Sequence, residues 1–90
     1  MFRFLPQRNL TQATALSLLE DHLTGLGYSG ESFYFDNVFA CSIDDVQVYS
    51  TEVRWSTGIM SNHLFMILAV SVDGTRFFQY NLVDDTWAEI

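Results

Sequence analysis

Leu64-Phe65-Met66-Ile67-Leu68-Ala69-Val70 is the stretch on which the fold turns. Seven consecutive apolar residues fall well short of the roughly 18 that a membrane-spanning helix needs. A run apolar at every position must be covered on both sides, so it reads as a central β-strand, over about residues 63–72. Phe65, Ile67 and Ala69 would point to one face, and Leu64, Met66, Leu68 and Val70 to the other. Asp73-Gly74 follows, and then Phe77, Phe78, Tyr80 and Leu82 in a second run over about residues 75–82. Asp-Gly between two such runs predicts a type I′ hairpin, whose two central residues both need positive φ.

Two more strands precede the central one, over about residues 32–42 and 46–55, and they meet at Ser42–Asp45. The polar stretch from Ser56 to Asn62, with Gly58, reads as a loop. Further upstream, leucines at 16, 19, 23 and 26 recur at helical spacing with Ala13 extending their stripe, which predicts a helix over 9–26. Asn9 with Gln12 makes a candidate capping box, and Thr11 is a rival cap. Gly25 and Gly27 are suitable stops. Residues 1–8 read as an arm or an edge strand, where Pro6 is tolerated. They lack the long apolar region and small-residue cleavage site of a signal peptide. Residues 1–90 thus form one α+β domain, with one N-terminal helix packed on an antiparallel meander of about four strands. One helix covers one face. The other face is also apolar, so either the arm and Trp87–Ile90 fold over it, or another chain does, as in a homodimer.

Charge narrows the partners. Eleven acidic residues stand against four arginines, with no lysine. A net charge of −7 disfavours nucleic acid and anionic membrane surfaces, both of which are held by basic side chains. It favours a basic protein surface, approached with salt-sensitive electrostatic steering. Cys41 is the single cysteine, so no internal disulfide forms, and a cytoplasmic setting is the expectation.

Catalytic constellations are weak. Cys41 with His63 would need an imidazole near the sulfur and a lowered thiol pKa, and a small buried hydrophobe is the default reading of Cys41. A meander sends Asp44, Asp45 and Asp73 to one end of the sheet, and Glu31, His63, Asp84 and Asp85 to the other, with His22 nearby. That second group has donors for a divalent ion but no ligand-motif spacing. Adjacent turn aspartates are ordinary solvated residues, and no phosphate loop or hydrolase motif is present. The expectation is no enzyme, no cofactor and no metal. Tyr80-Asn81-Leu82 through Trp87 resembles the last strand of a kelch blade. A kelch repeat runs to about 50 residues and needs several copies, so nothing follows from one such string.

A non-catalytic binding protein remains. In size, charge and lack of catalytic signature the chain resembles phage-encoded inhibitors of bacterial defence such as anti-CRISPR proteins, a class description that immunity proteins and antitoxins share. The resemblance implies a rigid acidic domain occupying a Lys/Arg groove of a nucleic-acid-binding protein. The candidate contact residues are Asp44, Asp45, Asp73, Asp84 and Asp85, with Tyr49, Trp55 and Trp87 as aromatic anchors. The alternatives are a small-molecule or enzymatic domain with a pocket between helix and sheet, and an oligomeric structural subunit.

Overall fold

A computed structural model of the chain describes residues 9–90, and the arm or edge strand read for residues 1–8 lies outside them. One helix, α1 (Gln12–Gly25), packs on a five-stranded antiparallel sheet. The strands are β1 (Phe33–Ile43), β2 (Val46–Trp55), β3 (Leu64–Ser71), β4 (Phe77–Asn81) and β5 (Thr86–Glu89), in the spatial order of the sequence. This is the expected α+β meander with one strand more. Trp87–Ile90 does not fold across the second face. Thr86–Glu89 instead extends the sheet, pairing Tyr80 with Trp87 and Phe78 with Glu89.

Thr11, not Asn9, caps α1. Its hydroxyl accepts from the Thr14 amide at 3.2 Å, satisfying one of the orphan donors of the first turn. Ala15, Leu19 and Leu23 form the buried stripe at i, i+4 and i+8. The expected stripe is therefore rotated. Ala13 is exposed, and Leu26 lies past the helix end with 62% of its surface accessible. The reason is termination. Gly27 adopts φ 105°, and the Tyr28 amide turns back to the Leu23 carbonyl, closing the helix before Leu26 reaches the sheet.

Under the helix, Leu19 and Leu23 meet Phe33, Val53, Leu68 and Val70. A second core lies on the far face, where Ile43, Val48, Ala69 and Phe78 pack with Cys41, Val46 and Trp87 against them. One extra residue in β1 creates it. Asp36 pairs with Glu52 and Phe39 with Ser50, so three steps on β1 match two on β2. Asn37 takes the left-handed conformation at this bulge, φ 52°. Its amide donates to the Asp36 carboxylate and its side chain donates to Glu52. The buried Thr51 hydroxyl donates to the Asp36 carbonyl at 3.2 Å. A one-residue slip exchanges faces. Phe33 and Phe35 therefore serve the helix side, while Phe39, Cys41 and Ile43 serve the other, although unbroken alternation along the strand would put Phe39 on the same face as Phe33 and Phe35. A second shift between Val53 and Arg54 moves Phe65 to the helix side, where it stacks on Trp55 at 4.0 Å.

The turns also depart from expectation. Only Gly74 has positive φ in the β3–β4 connection, and Ser71 and Phe77 flank a longer loop, so Asp73-Gly74 is not a type I′ pair. Asp73 instead fastens that loop through its carboxylate, which accepts from the Ser71 hydroxyl at 2.6 Å and from the Thr75 amide and hydroxyl at 3.0 and 2.7 Å. The two-residue turn with both φ values positive is Asp44-Asp45, at 49° and 68°, between the paired Ile43 and Val46. Aspartate tolerates this region at a cost that asparagine and glycine largely avoid. The double variant Asp44→Asn with Asp45→Gly is therefore expected to raise stability by about 0.5–1 kcal/mol. Thermal denaturation reads this as a midpoint higher by a few degrees, and a lower midpoint would contradict the turn assignment.

Candidate binding surface

Strand connectivity alone would hold Asp44 and Asp85 at opposite ends of the sheet. Yet both line one cleft of about 470 Å³, with Ser42, Ile43, Thr86 and Trp87. Right-handed twist accumulated over five strands carries diagonal corners of a sheet toward each other on one face. Here the end of β1 and the start of β5 converge on the side away from α1, and the second core, with Ile43 and Trp87 in it, closes between them. A smaller hollow of about 180 Å³ adjoins it, lined by Phe39, Ser50, Glu52, Ile67, Tyr80 and Trp87. Trp87 belongs to both, so the two form one concave surface. A third cleft, about 380 Å³, opens where β3 and β4 separate below the Leu68–Gln79 pair, beside Phe65, Met66 and Asn81. None of these three clefts is lined by a helix residue, whereas the interval between α1 and the sheet is filled by the first core.

The arginines among the described residues sit on the other diagonal. Arg54, at the end of β2, reaches Glu52 at 2.7 Å and Asp36 at 3.3 Å. Arg76, just before β4, grips Glu89 through two hydrogen bonds of 2.7 and 3.0 Å and lies over the Phe78 ring. Each guanidinium pKa is raised, first by its hydrogen bonds to the carboxylate, and the Glu89 carboxyl is lowered in return by Arg76. Asp44, Asp45, Asp84 and Asp85 are exposed and make no ion pair among the described residues. Asp84 and Asp85 are held by local chemistry. The Asn81 side-chain oxygen accepts from the Val83 and Asp84 amides, and the Asp85 amide donates to the Asn81 carbonyl.

The other candidate residues divide by role. Asp73 is a loop staple. Hydrogen bonds from Ser71 and then Thr75 pull its carboxyl from an ordinary 3.8 down to about 2. A lowered folded pKa means a stabilisation complete above pH 3.8 and lost as pH falls through about 2. Asp73→Asn should therefore be less stable than the parent at pH 7. The gap should close as acid is added across that window, as urea denaturation at several pH values would read. A gap that stays constant to pH 2 would mean that the charged carboxylate contributes nothing. Tyr49 is also structural, its hydroxyl donating to the Leu10 carbonyl at 3.0 Å. Trp55 stacks in the aromatic group with Phe65 and Tyr28 on the helix side. Of the three aromatic candidates, only Trp87 lines the concave face.

Cys41 and His63 lie far apart. Cys41 pairs with Val48, while the His63 carbonyl accepts from the Trp55 amide seven residues further along β2, roughly 23 Å at strand rise. Burial also raises the Cys41 thiol above its ordinary value, which keeps it protonated and weakly nucleophilic. His22 stacks on Phe77 at 5.2 Å. Among the described residues, His22, His63, Glu31, Asp84 and Asp85 do not gather into a group of three that could hold a metal ion. Sequence reasoning missed Phe39, Glu52, Ile67 and Tyr80 as surface-forming residues. The signal for Phe39 was Asp36-Asn37, a pair suited to a left-handed bulge.

No protein family, curated protein or solved structure matches the chain.

Proposed function

We propose that the chain is a non-catalytic binding protein whose exposed carboxylates engage a basic surface of a partner, in the manner of an inhibitor occupying the Lys/Arg groove of a nucleic-acid-binding protein. Phage-encoded anti-defence inhibitors are the class this reading favours. One observation carries it. Asp44 and Asp85 stand in a single cleft with an indole, without a counter-cation among the described residues, while Arg54 and Arg76 are already paired elsewhere. A basic side chain supplied from outside completes such a site. The alternative of a small-molecule or enzymatic pocket between helix and sheet is disfavoured at that place, where the first core fills the interval.

The test is affinity purification from the native host at low and high salt, using the parent and a quadruple variant, Asp44→Asn, Asp45→Gly, Asp84→Asn and Asp85→Asn. These substitutions suit the local φ values, so charge is removed without disturbing the turns. Exposed ion pairs are worth about 0.5 kcal/mol each, so losing four weakens binding by about thirtyfold. The expected result is a basic partner retained by the parent at low salt, released at high salt, and lost by the variant. An acidic partner, or one the variant retains equally, would sink the reading.

A further inference from the structure

We infer that the concave face takes an extended segment of the partner in which an aromatic or large aliphatic residue and an arginine stand two positions apart. The inference rests on the basic-partner reading above and adds which part of the surface does the recognising. The two hollows meet at Trp87 and differ in chemistry. The smaller, about 180 Å³, is lined by Phe39, Ile67, Tyr80 and Trp87 with Ser50 and Glu52, the Glu52 carboxylate being already engaged by Asn37 and Arg54, and has room for one large apolar side chain. Phe39 keeps 54% of its surface accessible within β1 and gives this hollow an apolar wall that a partner side chain can cover. The larger hollow, about 470 Å³, has Asp44, Asp85 and Trp87 in its lining and has room for a long basic side chain with water. A wholly apolar occupant would desolvate the carboxylates without a partner. An acidic one would be repelled. A guanidinium can bridge carboxylates and lie against an aromatic face at once. In an extended chain, residues i and i+2 point the same way about 6.5–7 Å apart. The two hollows share Trp87 and are neighbours on one face, and this spacing is the shortest same-side one an extended chain offers to fill both.

The probe is a fluorescein-labelled peptide, Gly-Ser-Phe-Ser-Arg-Ser-Gly, titrated into the full chain and followed by anisotropy. Controls replace its Phe by Ser, replace its Arg by Glu, or place Phe and Arg side by side. The expected result is saturable binding in which each control weakens affinity about tenfold or more. Phe39→Ser, at a half-exposed position that leaves the fold intact by circular dichroism, should weaken the parent peptide by a similar factor, and Asp85→Asn, which removes one exposed ion pair, should weaken it about twofold. Three results would overturn the inference. One is equal affinity for the Phe-to-Ser peptide or for the Phe39→Ser chain. Another is no saturable binding by any of the peptides. The third is a stable dimer in sedimentation that Phe39→Ser makes monomeric, since a second copy would then fill the face. The two readings fail separately. If host partner binding is lost in the quadruple aspartate variant but unchanged in Phe39→Ser, the charged surface stands and the groove falls.

Discussion

Leu19→Ala lowers the unfolding free energy by about 2–5 kcal/mol, the range for emptying a leucine site in a packed core. Leu19 has no accessible surface and sits in the first core between helix and sheet. Removing its branched end forfeits transfer free energy and leaves a cavity whose walls, Leu68 and Val70 among them, are fixed in β3 and cannot collapse inward. A single domain of this size has about 5–15 kcal/mol in all, so the variant loses a large share. Urea denaturation should show an earlier midpoint with an unchanged slope. Leu26→Ala is the control. Leu26 is mostly exposed, so its truncation should stay within about 0.5 kcal/mol. Equal losses at the two sites would restore the helix face that leucine spacing alone predicts.

Gly74→Val has the second largest expected effect, about 1–3 kcal/mol, from placing a β-branched residue in the left-handed region. Gly74 has φ 80° in the loop that Asp73 fastens, and an added Cβ would lie 2.9 Å from a Leu10 methyl and 3.1 Å from a Leu18 methyl. Both obstacles are tips of flexible side chains, so the backbone cost dominates. Gly58 isolates that cost. Its φ is 81° and no atom lies within 4 Å of an added Cβ. Thermal melts of Gly58→Ala and Gly74→Ala therefore divide conformational strain from crowding, and Gly74→Ala should be the less stable of the two. The reverse order would mean that Leu10 and Leu18 give way at no cost.

Much of the architecture is legible in the residues because it is written locally. The unbroken apolar run of β3 requires cover on both faces, and the leucine spacing and glycine stops place the helix within a few residues. Features that depend on competition between local signals were misplaced. Asp73-Gly74 has the composition of a two-residue hairpin turn, but Ser71 and Thr75 offer the Asp73 carboxylate three hydrogen bonds, and the chain takes a longer loop to make them. Asp44-Asp45 has the poorer composition, yet Ile43 and Val46 are in register and leave only two residues to turn. The bulge at Asn37 shifts the phase of everything after it in β1, so strict alternation assigns Phe39 to the wrong face. The meeting of Asp44 and Asp85 has no local signature. It arises from twist summed over strands whose residues never adjoin in sequence.

The bulge also bears on edge-to-edge pairing between copies of a chain that is 49% hydrophobic. At eleven residues β1 is the longest strand, and it lies at the rim of the sheet with one row of amide and carbonyl groups unpaired by β2. A long flat rim is a template on which further chains can polymerise. The extra residue at Asn37 breaks that row near its middle, and Asp36 beside it sets a charge where an incoming strand would have to lie. At the opposite rim β5 is only four residues long and ends at Glu89. Among the described residues neither rim offers an uninterrupted, uncharged ladder, which disfavours ordered fibril growth through the sheet in both directions.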